Sequence, residues 1–350
     1  MKRYEEYLAA SAVPREALEL FLDPERSSAC RFHPVTGYEI DSFLASDGVD
    51  NSGTIVTVDK DGARRGIAYA ERLGRISTYG NSYTQGSQVS DGETWQEVLS
   101  AHFGEPIVNY GVGGFGAYQA YRRMVEKESV GPGADCVVLF VWGDDHQRSV
   151  MRCRHAVTYP VWDHDGGRLF HNNFWANVEM DLDRGVLVQR ENRLPTRELV
   201  YHMADPAFMV EALKDDLMVQ LCVAPVIDHR SLDYDSINAL AELIGVPPVR
   251  PERETKEVLS GLEQIKEAYG FAATAWVVRQ TRDFCSKANK RLLILTLCPR
   301  VTRQLLSCEA RYDQAFVDDL DASGVPFVDV NLAHARDRKS TRLNSSHTHL

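Results

Sequence analysis

Two stretches of the chain alternate short apolar runs with segments that carry apolar residues at helical spacing. The first stretch predicts strands at residues 75–79, 106–110 and 136–142 and helices at 95–103 and 117–127. The second predicts a helix at 257–287, a strand at 291–297, a helix at 312–323 and a strand at 325–330. The run at 136–142 is continuously apolar and rich in β-branched and aromatic residues, which is typical of a strand covered on both faces. This alternation predicts an α/β fold with a parallel sheet and right-handed crossovers.

The remaining segments do not follow this alternation. Residues 4–22 predict helices interrupted at Pro14, and residues 32–66 predict a small β meander with a strand at 54–58. Residues 148–253 contain clusters of Asp, His and Asn and a helical stretch near 206–221. We therefore divide the chain into an N-terminal helical and β-rich extension (1–74), an α/β core (75–150 and 254–337) and an inserted cap (151–253). Residues 338–350 carry no apolar face, and we expect them to be a non-native tail.

The composition narrows the functional class. Hydrophobic residues make up 44% and charged residues 25% of the chain, which is typical of a soluble globular protein. The formal charge of −11 argues against a nucleic acid partner. The 7 cysteines are widely spaced and include no C-x-x-C pair, so they predict neither a disulfide framework nor a zinc ribbon. No apolar run is long enough to span a bilayer, and the N-terminus lacks the apolar core of a signal peptide, so we expect a cytoplasmic protein. The sequence leaves the oligomeric state open.

Three consecutive predicted strands end in polar or glycine-rich loops. Gly80-Asn81-Ser82 follows the first strand, the segment 109–116 follows the second, and Gly143-Asp144-Asp145-His146 follows the third. Because the carboxyl ends of neighbouring parallel strands lie at one edge of the sheet, we expect these loops to line one crevice.

These loops resemble the sequence blocks of the SGNH (GDSL-type) hydrolases, a family of esterases and acylhydrolases. Gly80-Asn81-Ser82 is similar to the family's Gly-Asp-Ser block, with Asn81 in place of the aspartate. Asn109 and Gly114 are similar to its Asn-x-x-x-x-Gly block. The third block, Gly-x-Asn-Asp in the family, is altered because Asp145 stands at the position of the asparagine. The resemblance covers about residues 76–149, is looser at 284–334, and does not extend to the cap.

The resemblance implies a flavodoxin-like three-layer sandwich with a parallel sheet, and a serine esterase or acylhydrolase that needs no cofactor. Ser82 is then the nucleophile, and the amides of Ser82 and Gly114 hold the oxyanion. Asp329 and His334 are the candidates for the late Asp-x-x-His block, although their spacing is five rather than three. In relatives with this architecture that block usually lies further beyond the last strand, where this chain has the segment 338–350. The implied substrate is a small-molecule or carbohydrate ester.

The chemistry of ester hydrolysis accounts for these residue types. A serine hydroxyl becomes a good nucleophile when a base within hydrogen-bond reach takes its proton, and the oxyanion needs two or three hydrogen-bond donors. An ionised Asp145 accepts hydrogen bonds and cannot donate them. The sequence therefore leaves three interpretations of Asp145: a carboxyl that burial keeps protonated, a residue with another role, or a substitution that weakens activity.

Other functional classes remain compatible with the sequence. Asn81, Asp145 and the poorly matched base favour a catalytically impaired binding protein with the same crevice. The pattern Gly-x-Gly-x-x-Gly at 111–116 is also typical of dinucleotide binding, but neither Asp135 nor Asp144 has the position of the acidic partner. A metal site built from Asp144, Asp145, His146 and the cluster at 163–165 has suitable ligand types but no known metal-ligand spacing.

Overall fold

The computed structural model describes residues 1–23, 25, 29–45, 52–130, 133–160 and 173–336. The chain forms two compact units. Unit 1 comprises Met1–Glu39 and Gln147–Ala273, and unit 2 comprises Ile40–His146 and Thr274–Leu350. Residues 1–74 are thus divided between the units, and residues 151–253 lie within unit 1. The segment 338–350 lies outside the described residues.

The helices and strands are numbered here in chain order. The strands are β1 (Cys30–His33), β2 (Gly37–Ile40), β3 (Phe43–Ala45), β4 (Thr54–Val56), β5 (Ile76–Tyr79), β6 (Ile107–Asn109), β7 (Cys136–Trp142), β8 (Asn177–Asp181), β9 (Val186–Arg190), β10 (Arg291–Leu297) and β11 (Phe327–Asp329). The helices are α1 (Tyr4–Ala10), α2 (Arg15–Leu22), α3 (Ser82–Gln85), α4 (Trp95–Phe103), α5 (Ala117–Glu128), α6 (Asp145–Arg148), α7 (His155–Thr158), α8 (Arg197–Val200), α9 (Pro206–Leu213), α10 (Leu217–Val223), α11 (Tyr234–Leu243), α12 (Thr255–Lys287), α13 (Pro299–Leu306), α14 (Gln314–Ser323) and α15 (Val330–Arg336). Short 3-10 helices occur at Asp91–Glu93, Tyr201–Ala204 and His229–Ser231.

Unit 2 contains a five-stranded sheet with the order β11-β10-β7-β5-β6. Every pairing in this sheet is parallel. Numbered by their order along the chain, the strands run 2-1-3-4-5 across the sheet, which is the order of flavodoxin-like doubly wound sheets. The order reverses between β5 and β7, so their carboxyl ends flank the topological switch point.

Strand β7 shows that both faces of this sheet are covered. Its five central residues, 137–141, are all buried, with exposures between 0% and 7%. Because successive side chains of a strand point to opposite faces, the burial of every position requires packing on both sides. The described residues therefore form an α/β unit with a parallel central sheet, consistent with a three-layer α/β fold.

The helices of unit 2 begin and end at residues with the expected capping chemistry. Thr94 accepts a hydrogen bond from the amide of Glu97 at the start of α4, and Gly104 ends that helix in the left-handed conformation. Unit 2 also contains the antiparallel pair β3-β4.

Unit 1 is mainly helical. It contains the antiparallel pair β8-β9 and the packed helices α1 and α9. Tyr4 of α1 donates a 2.8 Å hydrogen bond to the carbonyl of Leu213 at the end of α9. Trp175, 1% exposed, donates from its indole nitrogen to the carbonyl of Met151.

Most elements of the α/β core were predicted by the apolar pattern, and the structure confirms them. Strands β7 and β10 have the predicted bounds, and β5, β6 and β11 lie within their predicted ranges. Helices α4, α5, α12 and α14 match within a few residues, and α1 and α2 are interrupted around Pro14 as predicted. The pattern did not predict α3, α11, α13, α15 or the β8-β9 hairpin. No helix among the described residues is both long and apolar enough to cross a membrane.

Candidate active site

The candidate site lies at the carboxyl ends of β5 and β7 in unit 2. Ser82 begins α3 three residues after β5 ends at Tyr79, and Asp145 begins α6 three residues after β7 ends at Trp142. Since β5 and β7 pair directly, both loops border the switch point of the sheet. Open α/β sheets bind their ligands at this position.

The turn before Ser82 requires glycine at position 80. A Cβ atom on Gly80 would lie 2.3 Å from Thr84 Oγ1 and 3.1 Å from the carbonyl oxygen of Phe140. The backbone of β5 therefore passes directly against β7 and the first turn of α3. The next residue, Asn81, caps α3 by accepting a 2.8 Å hydrogen bond from the amide of Tyr83.

The side chains of Asn81 and Asp145 are paired inside the site. Asn81 Nδ2 lies 2.9 Å from Oδ1 and 2.8 Å from Oδ2 of Asp145, and both residues are 1% exposed. Asp145 Oδ2 also accepts a 2.8 Å hydrogen bond from the amide of Trp142. Of the three interpretations that the sequence left open for Asp145, this geometry favours a role other than donation to an oxyanion. The reason is that the Asp145 carboxylate accepts hydrogen bonds from both Asn81 and Trp142.

The loop after β6 packs against α3. A Cβ atom on Gly111 would lie 2.2 Å from the amide nitrogen of Gln85, and one on Gly113 would lie 3.7 Å from Ser82 Cβ. The amide of Gly113 donates a 2.7 Å hydrogen bond to Gln85 Oε1. Asn109, 4% exposed, accepts from the amide of Gly111 and donates to the carbonyl of Gln85. Gly111 and Gly113 are therefore in close contact with α3.

Two backbone amides at this contact have no acceptor among the described residues. Neither the amide of Ser82 nor that of Gly114 donates a hydrogen bond within the part of the chain that the structure describes. Gly113 approaches the Ser82 side chain, and the Gly114 amide is bonded directly to Gly113. A buried amide without an acceptor is a costly feature of a folded protein unless water or a ligand binds it. The Ser82 hydroxyl likewise forms no hydrogen bond with any described residue.

Arg64 holds the far end of α3, and sequence reasoning missed it. Its guanidinium donates 2.6 Å hydrogen bonds to the carbonyls of Gln85 and Gly86, and it pairs with Asp91 at 3.1 Å. The Arg64 side chain is only 1% exposed. Burial lowers the pKa of Arg64, while the Asp91 carboxylate opposes this effect. No motif marks Arg64, because its role depends on backbone carbonyls that are distant in sequence.

Aromatic side chains also lie beside Ser82. The rings of Tyr83 and Trp142 are stacked with centroids 3.7 Å apart and an interplanar angle of 17°. The indole nitrogen of Trp95 donates to the carbonyl of Tyr83 at 3.1 Å. These contacts fix the residue that follows Ser82 against the end of β7.

Asp329 is held by partners other than His334. Its Oδ2 atom pairs with Arg311 at 2.5 Å, and its Oδ1 atom accepts from the amide and the side chain of Asn331. Burial lowers the pKa of Arg311, but hydrogen bonds to Asp313 and Asp329 outweigh it, so the pKa is raised. Asp329 therefore belongs to an ion-pair cluster at the end of β11.

His334 lies in α15 and is half-buried. It forms no hydrogen bond or ion pair with Ser82, Asp329 or any other described residue. The structure therefore pairs Asn81 with Asp145 next to Ser82 and places Gly113, which precedes Gly114, against the Ser82 side chain, and no contact among the described residues joins His334 to them.

His146 is not an alternative base. Its Nδ1 atom lies 2.8 Å from Thr274 Oγ1, and its ring packs edge-on against Phe316. Burial lowers the pKa of His146 to about 3. Asp145 and His146, the two candidate metal ligands next to Asp144, therefore both contact other protein groups. The candidate cluster at 163–165 lies outside the described residues.

Comparison of the chain with protein-family models finds no match, and comparison with curated proteins finds none either.

Proposed function

We propose that this protein is a serine esterase or acylhydrolase of the SGNH type, acting on a small-molecule or carbohydrate ester. The observation that carries the proposal is that the amides of Ser82 and Gly114 have no acceptor among the described residues, where Gly113 approaches the Ser82 side chain and the Ser82 hydroxyl also forms no hydrogen bond with a described residue. Such a pair supplies the donors that a tetrahedral intermediate requires.

In the proposed reaction, Ser82 Oγ attacks the ester carbonyl and its proton passes to a base. The carbonyl oxygen becomes an oxyanion that accepts hydrogen bonds from the Ser82 and Gly114 amides. Collapse of the intermediate breaks the ester bond, and the alcohol leaves with the proton. Water then attacks the acyl-enzyme through the same steps and releases the acid.

Asp145 has a supporting role in this proposal. Because its carboxylate accepts from Asn81 and Trp142, it supplies no donor to the oxyanion. The oxyanion is then stabilised by two backbone amides, those of Ser82 and Gly114. Loss of one donor typically costs about 100- to 1000-fold in rate, so we expect slow turnover compared with a site that has three donors.

A second candidate function is a binding protein that keeps the crevice without efficient turnover. The specific observation in its favour is that Asp329 is committed to Arg311, while His334 contacts neither Asp329 nor Ser82 within the described residues. A serine without a positioned base attacks esters poorly.

Labelling with a fluorophosphonate probe, followed by mass mapping, tests the proposal. We expect the probe to modify Ser82, and Ser82→Ala to abolish both labelling and hydrolysis of an activated ester. The matched control is Ser286→Ala, because Ser286 is exposed on α12 and unrelated to the site. If the probe leaves Ser82 unmodified while Ser82→Ala keeps the hydrolysis rate, the nucleophile assignment is wrong. If Ser82 is unmodified and ester analogues bind in calorimetry without turnover, the binding protein is the better description.

A further inference from the structure

We infer that Asn81 and Asp145 form one positioning pair for Ser82, in which an amide and a carboxylate are complementary and can be exchanged only together. This inference rests on the proposed function for its kinetic consequence. It rests on the hydrogen-bond geometry alone for its structural consequence, so the two can be tested separately.

The pair has a defined donor and acceptor pattern. Asn81 contributes the donor group Nδ2, an NH₂, which faces both carboxylate oxygens of Asp145 at 2.9 and 2.8 Å. Asn81 Oδ1 accepts from the amide of Tyr83, and Asp145 Oδ2 accepts from the amide of Trp142, each at 2.8 Å. The pair thus links the backbone at the start of α3 with the backbone at the end of β7.

This link explains why the two departures from the SGNH blocks occur together. Asn81 directly precedes Ser82, and Asp145 follows the strand that pairs with β5. A carboxylate at both positions would place two negative charges within about 3 Å in a buried site, where one of them would have to take up a proton. An amide at one position and a carboxylate at the other satisfies the backbone amides of Tyr83 and Trp142, which donate to the pair.

Each single exchange breaks the pattern. In Asn81→Asp, the donor toward Asp145 is lost and two carboxylates face each other. In Asp145→Asn, the new side chain can turn only one oxygen toward the Asn81 donor and the Trp142 amide, so its own NH₂ group must face one of these two donors. The double variant N81D/D145N restores complementarity, because the new carboxylate can accept from the new amide and from Tyr83, while the new amide oxygen accepts from Trp142.

The experiment is a double-mutant cycle on the full chain with two readouts. The first readout is kcat and KM for an activated ester, together with the rate of fluorophosphonate labelling. We expect each single variant to lower kcat by about 10-fold or more, as for coupled residues of one hydrogen-bond network, with a smaller change in KM. We expect N81D/D145N to recover kcat to within about 3-fold of the parent, which corresponds to a strong coupling between the two positions.

The second readout is the midpoint of urea unfolding, which needs no activity. We expect both single variants to shift the midpoint downward and the double variant to restore it. The matched control is Q314E/D318N, because Gln314 Nε2 and Asp318 Oδ1 form a 2.8 Å amide–carboxylate hydrogen bond on the exposed side of α14. Neither its single variants nor its double variant should change kcat.

The outcomes separate the two claims. If the parent neither labels nor hydrolyses esters but the unfolding midpoints recover in the double variant, the proposed function fails and the pairing stands. If the double variant shows the sum of the two single losses in both readouts, the positions are independent and the pairing inference is overturned. Recovery of the midpoint without recovery of kcat would overturn the positioning role and leave only a structural one.

Discussion

At the residue scale, the site is built from close backbone contacts that only small side chains permit. Gly80 and Gly111 each leave no room for a Cβ atom, and both contacts involve α3. The hydrogen bond that Asn81 donates to Asp145 and the one that Gln85 accepts from the Gly113 amide then fix this helix relative to β7 and to the loop after β6. Ser82 is therefore placed by its neighbours, and the side chain itself makes no hydrogen bond with the described residues.

Gly111→Ala tests this close contact. The added methyl group would lie 2.2 Å from the Gln85 amide nitrogen and 2.5 Å from the Thr84 carbonyl carbon, which are backbone atoms. We expect α3 to shift, with a loss of about 1–3 kcal/mol in the free energy of unfolding and a fall in Ser82 labelling. Gly53→Ala is the control, because its nearest atom is the Ala45 carbonyl oxygen at 3.7 Å. Equal urea midpoints for the two variants would contradict the packing argument.

His334→Gln tests the base that the sequence suggested. Since His334 contacts neither Ser82 nor Asp329 among the described residues, we expect the variant to label with fluorophosphonate at the parent rate. The rate of labelling is measured from pH 6 to pH 9 in both proteins. A fall of about 100-fold or more in the variant, with loss of the pH dependence that the parent shows, would instead assign His334 as the base.

At the element scale, α3 illustrates how tertiary contacts replace intrinsic helix stability. It has 4 residues, far fewer than an isolated helix needs in water. Its first turn is capped by Asn81, and the carbonyls at and just after its end are satisfied by Arg64 and Asn109. Arg64 belongs to the segment before β5, so that segment contributes directly to the geometry of the site.

Arg64→Met tests this contribution. The variant keeps an unbranched apolar side chain but leaves Asp91 buried without its cation and removes the guanidinium donor from the carbonyls of Ile55, Gln85, Gly86 and Val89. We expect a loss of about 3–5 kcal/mol in the free energy of unfolding, measured in urea. The adjacent Arg65→Met is the matched control, because the Arg65–Asp59 pair is exposed and contributes about 0–1 kcal/mol. A loss for Arg64→Met no greater than for Arg65→Met would show that the buried pair does not hold α3.

At the scale of the whole molecule, unit 2 combines a sheet covered on both faces with buried polar groups at its ends. His146 is one of them, at 5% exposure, and its neutral ring packs between Thr274 and Phe316. The chain segments that meet there, before residue 147 and after residue 273, are the two parts of unit 2. Protonation of His146 should therefore oppose the folding of that unit.

The stability of the protein should depend on pH through His146. Burial lowers the pKa of His146 in the folded protein to about 3 from an ordinary value of 6.5. Between these two pH values the unfolded chain therefore binds a proton at His146 that the folded protein does not bind. The contribution of neutral His146 to the free energy of unfolding is fully present above pH 6.5. It is lost as the pH falls, by about 1.4 kcal/mol per pH unit in the middle of this range. Urea unfolding at pH 7, 6, 5 and 4 measures this slope.

His146→Gln should flatten that slope, whereas His102→Gln should leave it unchanged because His102 is exposed on α4. Since other groups also titrate in this range, the difference between the two variants is the informative quantity. The interpretation fails if both variants keep the slope of the parent.

The sequence by itself determined the alternation of strands and helices in unit 2, because the period of apolar residues depends on local backbone geometry. It also predicted the order of the three loops at one edge of the sheet, since parallel pairing follows from that alternation. The short helices α3 and α15 could not be predicted, because contacts distant in sequence stabilise them.

Only the tertiary structure decided what the polar residues of the site contact. The sequence showed Asn81 and Asp145 as two separate departures from a family pattern, and the structure shows them as donor and acceptor of one pair. The same is true of Arg64, which binds carbonyls of α3 and the loop after it, and of Asp329, which pairs with Arg311. Hydrogen bonds and ion pairs depend on distances of about 3 Å between groups that are far apart along the chain, and no local pattern encodes those distances.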